Sequence, residues 1–130
     1  MVEKVVVDTS FLIELLDRGR KELSKYILEN QVLIPFPVVY EYLYGYMRLN
    51  WDIEKAKKIL DSLGDIVWPD QEQIMKTLEI DVELSSRGIN IPEADLIIAA
   101  TALKYQAPLL TFDKRHYTIF ENLGLKVIIP

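Results

Sequence analysis

Short apolar runs recur along the chain, at residues 5–7, 32–34, 66–68, 109–112 (broken only by Thr111) and 127–129. Each is too short for a helix and rich in β-branched or aliphatic residues, the pattern of a strand covered on both faces. Between them the apolar positions return every three or four residues. After Thr9 or Ser10, the residues Phe11, Leu12, Leu15 and Leu16 keep helical spacing until Arg18-Gly19, and residues 21–30 predict a second helix with Leu23, Tyr26, Ile27 and Leu28 inward. Pro37 suits a first helical turn, with Val38, Val39, Tyr42, Leu43 and Tyr46 along one face and Glu41 on another. Residues 52–63 read as an amphipathic helix, and Asp70 can cap a long one that runs to Arg87-Gly88. The helix opened by Pro92, PEADLIIAATALKY, is so uniformly small or apolar that it has to be buried.

Strands alternating with helices imply parallel pairing. The expected fold is a three-layer α/β/α domain around a central parallel sheet of about five strands, with residues 1–130 as a single domain. No internal repeat interrupts it. Open parallel sheets bind ligands outside the carboxyl ends of their strands, near the point where strand order reverses. Asp8 stands at one such end and Asp113 at another.

Composition narrows the chemistry. The absence of cysteine excludes disulfides and thiolates, and the single histidine, His116, excludes sites built from several imidazoles. Oxygen ligands remain. A net charge of -5 argues mildly against a broad basic grip on nucleic acid. No apolar run approaches the ~20 residues of a membrane span, and no signal-peptide pattern opens the chain, so a soluble cytoplasmic protein without a membrane partner is expected.

Four acids lie in apolar sequence: Asp8 after VVV, Glu41 in VVYEYLYG, Asp95 in PEADLIIAA and Asp113 in LLTFD. Each has an ordinary explanation. Asp8 could cap the first helix, Glu41 could be a surface residue sharing a stripe with Arg48, Asp95 could answer a helix dipole, and Asp113 could start a turn. Together, however, they fall on one sheet edge. Two like charges ~4 Å apart repel by roughly 4 kcal/mol at an effective dielectric of ~20, so such a cluster must be protonated or neutralised. Mg²⁺ or Mn²⁺ suits an all-carboxylate site with water.

In order and context, VVVDTSFLIELL, VVYEYLYG, ADLIIAATAL and LLTFDKRHY resemble the PIN domain family, particularly its small VapC-like toxins of toxin–antitoxin pairs. The resemblance implies a metal-dependent endoribonuclease whose acidic quartet falls on Asp8, Glu41, Asp95 and Asp113, with one or two ions activating water for in-line attack. Thr111 matches the family's hydroxyl two residues before the last acid, where it would bond a carboxylate or bound water; its ordinary role is a strand residue. Many relatives carry a further acid before the aromatic matching Tyr117, where this chain has His116. That departure bears on a second ion or on pH dependence, although a lone exposed histidine is ordinarily surface. The resemblance also implies an antitoxin partner and a homodimer.

Arg18, Arg20 and Lys21, or Lys114 and Arg115, could grip phosphate, and both groups read equally well as solvated surface. Tyr40, Tyr42, Tyr44, Tyr46 and Trp51 are more aromatic surface than one helix side buries, which suits a protein interface. Two other readings compete. An aspartate-based phosphatase would want a second Asp where Ser10 stands, and a receiver-like domain would use Asp70 as acceptor; a non-catalytic interaction module could keep the same fold.

Overall fold

The computed structural model describes residues 3–130. Five strands, β1 (Glu3–Val7), β2 (Asn30–Pro35), β3 (Asp65–Val67), β4 (Leu109–Leu110) and β5 (Val127–Ile128), form one parallel sheet in the order β3-β2-β1-β4-β5. The helices are α1 (Thr9–Leu12), α2 (Ser24–Leu28), α3 (Phe36–Arg48), α4 (Ile53–Leu63), α5 (Gln71–Ser86), α6 (Glu93–Lys104) and α7 (Thr118–Glu121). Neighbouring side chains of a strand point to opposite faces. Val5, Val6 and Val7 are all buried, so helices must cover β1 on both sides, which gives the three layers.

The chain winds outward from β1 to β2 and β3, then returns to lay β4 on the other side of β1. Strand order therefore reverses between β1 and β4, whose carboxyl ends part to leave a crevice. Register makes this concrete: Val7 pairs with Leu110, so Asp8 comes out of the sheet beside Thr111. Helix α6, buried at Leu96, Ile98, Ala99, Ala100 and Ala102, packs closely on the sheet because its alanines let the backbones approach.

Several local expectations fail. Residues 9–17 are α-helical only to Leu12 and continue as a π turn from Ile13 to Asp17, held where Asp17 accepts hydrogen bonds from Tyr42 (2.7 Å) and Tyr46 (3.0 Å). Leu28, expected inward, is 83% exposed. Tyr26, Ile27 and Leu28 are consecutive, and a helix turning about 100° per residue cannot aim all three at one core. Asn30 belongs to β2 rather than to the helix before it, Trp68 lies beyond β3, and Phe112 lies beyond β4. The 3-10 turn Lys114–His116 and α7 carry too few residues to leave a periodic signal. Among the described residues, no helix is long and apolar enough to cross a membrane.

Candidate active site

At the crevice between β1 and β4, a cavity of about 130 Å³ is lined by Asp8, Glu41, Asp95 and Asp113, together with Thr9, Ser10, His116 and Tyr117. Four separate segments deliver the four acids. β1 ends in Asp8, α3 presents Glu41, the first turn of α6 presents Asp95, and Asp113 follows β4.

Asp8 is the most enclosed of them, 4% exposed, and its carboxylate is fixed from three directions. Oδ1 accepts from the Ser10 hydroxyl at 2.7 Å and from the Phe11 amide at 3.0 Å, which makes Asp8 the N-cap of α1. Oδ2 accepts from the Thr111 hydroxyl at 2.5 Å. Thr111 in turn accepts from the Asp113 amide at 2.9 Å, and Ser10 Oγ accepts from the Phe112 amide at 2.9 Å. The capping role and the pocket role are thus held by the same side chain. The sequence does not reveal this role of Ser10, because a lone hydroxyl beside an acid gives no signal of a contact across 102 residues.

Burial pushes the Asp8 carboxyl above the usual range, and its three hydrogen bonds offset that only in part. Burial also raises Glu41, with the Asp95 and Asp8 charges adding to the shift. Asp95 is raised by burial and drawn back by His116. Tyr117, 3% exposed, has its hydroxyl pushed far up, first by burial and then by the charges of Asp8, Asp95, Glu41 and Asp113. All four acids therefore act on one point.

His116 is not idle surface. Its Nδ1 stands 3.3 Å from Asp95 and its Nε2 3.2 Å from Asp113, so the ring spans the two carboxylates while remaining half exposed. Among the described residues, no three His, Asp or Glu side chains are gathered as a ready-made metal cage. The donor set still fits a hard cation: it is all oxygen, three of its acids are held protonated more readily than usual, and the buried Thr9 hydroxyl has no well-formed partner. A cation or its water would satisfy that hydroxyl and relieve the crowding.

The other candidates fall elsewhere. Asp70 caps α5 through the Gln73 amide at 2.8 Å and pairs with Lys104 at 3.1 Å, a structural duty that leaves no acceptor role. Arg18 and Arg20 are held by Glu14 and Glu22, and Arg20 lies 5.0 Å over the Phe112 ring. Lys114 faces Glu121 at 3.9 Å. Arg48 lies over Tyr44 rather than pairing with Glu41.

The raised carboxyls have a consequence for stability without divalent cations. Between the ordinary carboxyl range and the raised values, the folded protein holds more protons than the unfolded chain. Stability then falls as pH rises through that window. Asp8→Asn removes one such group and keeps an N-cap, so the melting temperature of the variant relative to the parent should climb with pH in EDTA. Thermal denaturation from about pH 4 to 8 checks this; a constant or shrinking difference would contradict it.

A family model for the PIN domain matches residues 5–121. The chain is 33% identical over 124 residues to Ribonuclease VapC1 of Methanocaldococcus jannaschii, covering 95% of this chain and 86% of that protein. It is 26% identical to a VapC ribonuclease of Pyrococcus furiosus, across 93% of this chain and 82% of the relative. Among solved structures, it superposes on VapBC2 from Rickettsia felis bound to a promoter DNA fragment with a TM-score of 0.78 at 21% identity, covering 96% of this chain and 97% of that one. VapBC-1 from nontypeable Haemophilus influenzae gives 0.76 at 19% identity, covering 96% of each chain. With the match spanning the strand ends that carry Asp8 and Asp113, the chain belongs to the PIN domain family.

Proposed function

We propose that this protein is a metal-dependent endoribonuclease, the toxin of a toxin–antitoxin pair, acting in the cytoplasm. The observation that carries the reading is the convergence of four carboxylates on one small pocket at the reversal of strand order. The ribonuclease relatives support the reaction class. Asp8, Glu41, Asp95 and Asp113 would hold one or two Mg²⁺ or Mn²⁺ ions. Bound there, the metal supplies an activated water and stabilises charge on the phosphoryl oxygens.

The chain's own contribution is placement. Ser10, Thr111 and the Phe11 amide hold Asp8 in one rotamer, and β1 anchors it to the core. Thr111 also ties Asp8 to the backbone of Asp113, so the two strand ends keep a fixed separation. The His116 ring, spanning Asp95 and Asp113, would set the spacing of those two carboxylates.

Cleavage of single-stranded RNA in Mn²⁺ tests the proposal. EDTA is expected to abolish it, and Asp95→Asn to slow it about a hundredfold or more, the scale for removing one electrostatic element of a preorganised site. Unchanged cleavage in the variant would defeat the metal reading. The competing non-catalytic module requires that pure wild-type protein cut nothing in Mn²⁺.

Partners follow the same reading. A cognate antitoxin is proposed, since the solved structural neighbours include VapBC structures. A homodimer is proposed through the exposed stripe Ile74, Leu78 and Val82 of α5, spaced four residues apart. Sedimentation should show a dimer at micromolar concentration that Leu78→Asp converts to monomer; a wild-type monomer removes the dimer.

A further inference from the structure

Next to the acidic pocket lies a second cavity, of about 380 Å³, and the two share Glu41. Phe36, Tyr40, Ala94 and Ile97 form its apolar walls, and Glu41 and Glu93 bring carboxylates to it. The aromatics do not stop there. Phe36 stands 5.6 Å from Trp68 and 6.3 Å from Tyr40, Tyr40 stacks on Tyr44 at 6.3 Å with 13° between the rings, and the Arg48 guanidinium lies 5.9 Å over Tyr44. All four rings are substantially exposed: Phe36 36%, Tyr40 62%, Tyr44 53% and Trp68 59%. Ring faces left in water beside a phosphodiester site call for an occupant.

We infer that this cavity is a nucleobase subsite, which receives a base flanking the bond to be cut and prefers guanine. The inference rests on the nuclease reading for what lies in the adjoining pocket. Three features point to a base. The cavity is walled by aromatic rings, and bases of unpaired RNA stack on such side chains. It shares the Glu41 wall with the acidic pocket, so a nucleotide whose phosphate sits at the acids has its neighbour within reach. Arg48, at the far end of the strip, offers a cation to the next phosphate.

The preference follows from donor and acceptor counting. An ionised carboxylate only accepts hydrogen bonds. Guanine presents two adjacent donors, N1–H and N2–H₂, which match the two oxygens of Glu93. Uracil presents one N–H flanked by carbonyl oxygens, which would face the same carboxylate. Adenine and cytosine fall between, with one amino group beside an acceptor.

Trp68 reports on the cavity through its contact with Phe36. The chain has two tryptophans, so Trp51→Phe leaves Trp68 as the sole indole. Its fluorescence is to be titrated in EDTA with guanosine 5′-monophosphate, uridine 5′-monophosphate and ribose 5-phosphate. Saturable quenching by the guanine nucleotide is expected at about tenfold lower concentration than by the uracil one. Tyr40→Ala, at an exposed position, should raise the half-saturation point about tenfold while Tyr40→Phe does not, as loss of a stacking face predicts. Glu93→Gln should bring guanine and uracil within about twofold of each other.

Quenching by ribose 5-phosphate as strong as by either nucleotide, or a curve unmoved by Tyr40→Ala, overturns the subsite. So does a Tyr40→Ala variant that turns a dimer into a monomer while nucleotides leave the fluorescence unchanged, since the face then belongs to a second copy. Neither cation nor cleavage enters the titration. Lost binding with RNA cleavage intact therefore overturns the subsite alone, and binding without cleavage removes the nuclease reading instead.

Discussion

Asp8→Asn is expected to reduce RNA cleavage by about a thousandfold while the protein stays folded, near the upper end of what removing one preorganised electrostatic group costs. The geometry separates the two roles of this residue. As N-cap of α1 it needs only an acceptor for the Phe11 amide, and asparagine supplies that as well as aspartate does. The amide nitrogen can turn toward Thr111 Oγ1, and the Thr111 hydroxyl can then donate to Ser10, 3.2 Å away. What is lost is the charge. Burial pushes the wild-type carboxyl above its usual range, so a cation competes there with a proton for a charged group, and the asparagine has no charge to offer. Mn²⁺ should accordingly raise the melting temperature of the parent and leave the variant unmoved. Cleavage rates and thermal shifts measured on the same preparations decide it. A rate within a few-fold of the parent, or an undiminished Mn²⁺ shift, would remove Asp8 from the metal site.

The sheet was legible because its inner strands are buried on both faces. Val5 to Val7 and Val32 to Ile34 leave no alternation to confuse with a helix, and all six residues prove buried. The meeting of the acids was legible for a topological reason: parallel strands put Asp8 and Asp113 at the same edge whatever the details between them. His116 was not. Its approach to Asp95 depends on the 3-10 turn that follows Asp113, and three residues of turn carry no periodicity. The bond from Thr111 to a carboxylate was expected only through the family resemblance, and the part of Ser10 escaped altogether, since partners more than 100 residues apart are joined only by the register of β1 with β4. Tyr42 and Tyr46 show where pattern alone misleads. Both fit the inward stripe of α3, yet their hydroxyls serve Asp17 and hold the π turn that ends the first helix. Surface aromatics are the reverse case: Tyr40 and Tyr44 were visible as an excess, but only the cavity beside Glu41 gives them a direction.

Phe11→Ala should destabilise the protein by about 3–5 kcal/mol, the usual cost of emptying a buried aromatic position. Phe11 is fully buried and lies between the edge of Tyr26, at 6.2 Å, and the face of Phe112, at 6.4 Å. Phe112 also carries Arg20 over its ring, so this stack links the first helix, the second helix and the segment that bears Thr111 and Asp113. Against a total stability of about 5–15 kcal/mol, the loss is a large share, and a fall in melting temperature of about 10 °C or more is expected. Phe11→Leu keeps most of the volume and should cost less than about 1.5 kcal/mol. The contrast with Asp8→Asn is the informative part. That variant should be stable and inactive, whereas Phe11→Ala should unfold early yet retain its Mn²⁺ thermal shift, because the Phe11 amide that fixes Asp8 survives truncation of the side chain. If Phe11→Ala stays folded at low temperature and loses the Mn²⁺ shift altogether, the ring, and not the hydrogen-bond network, is what positions the carboxylate.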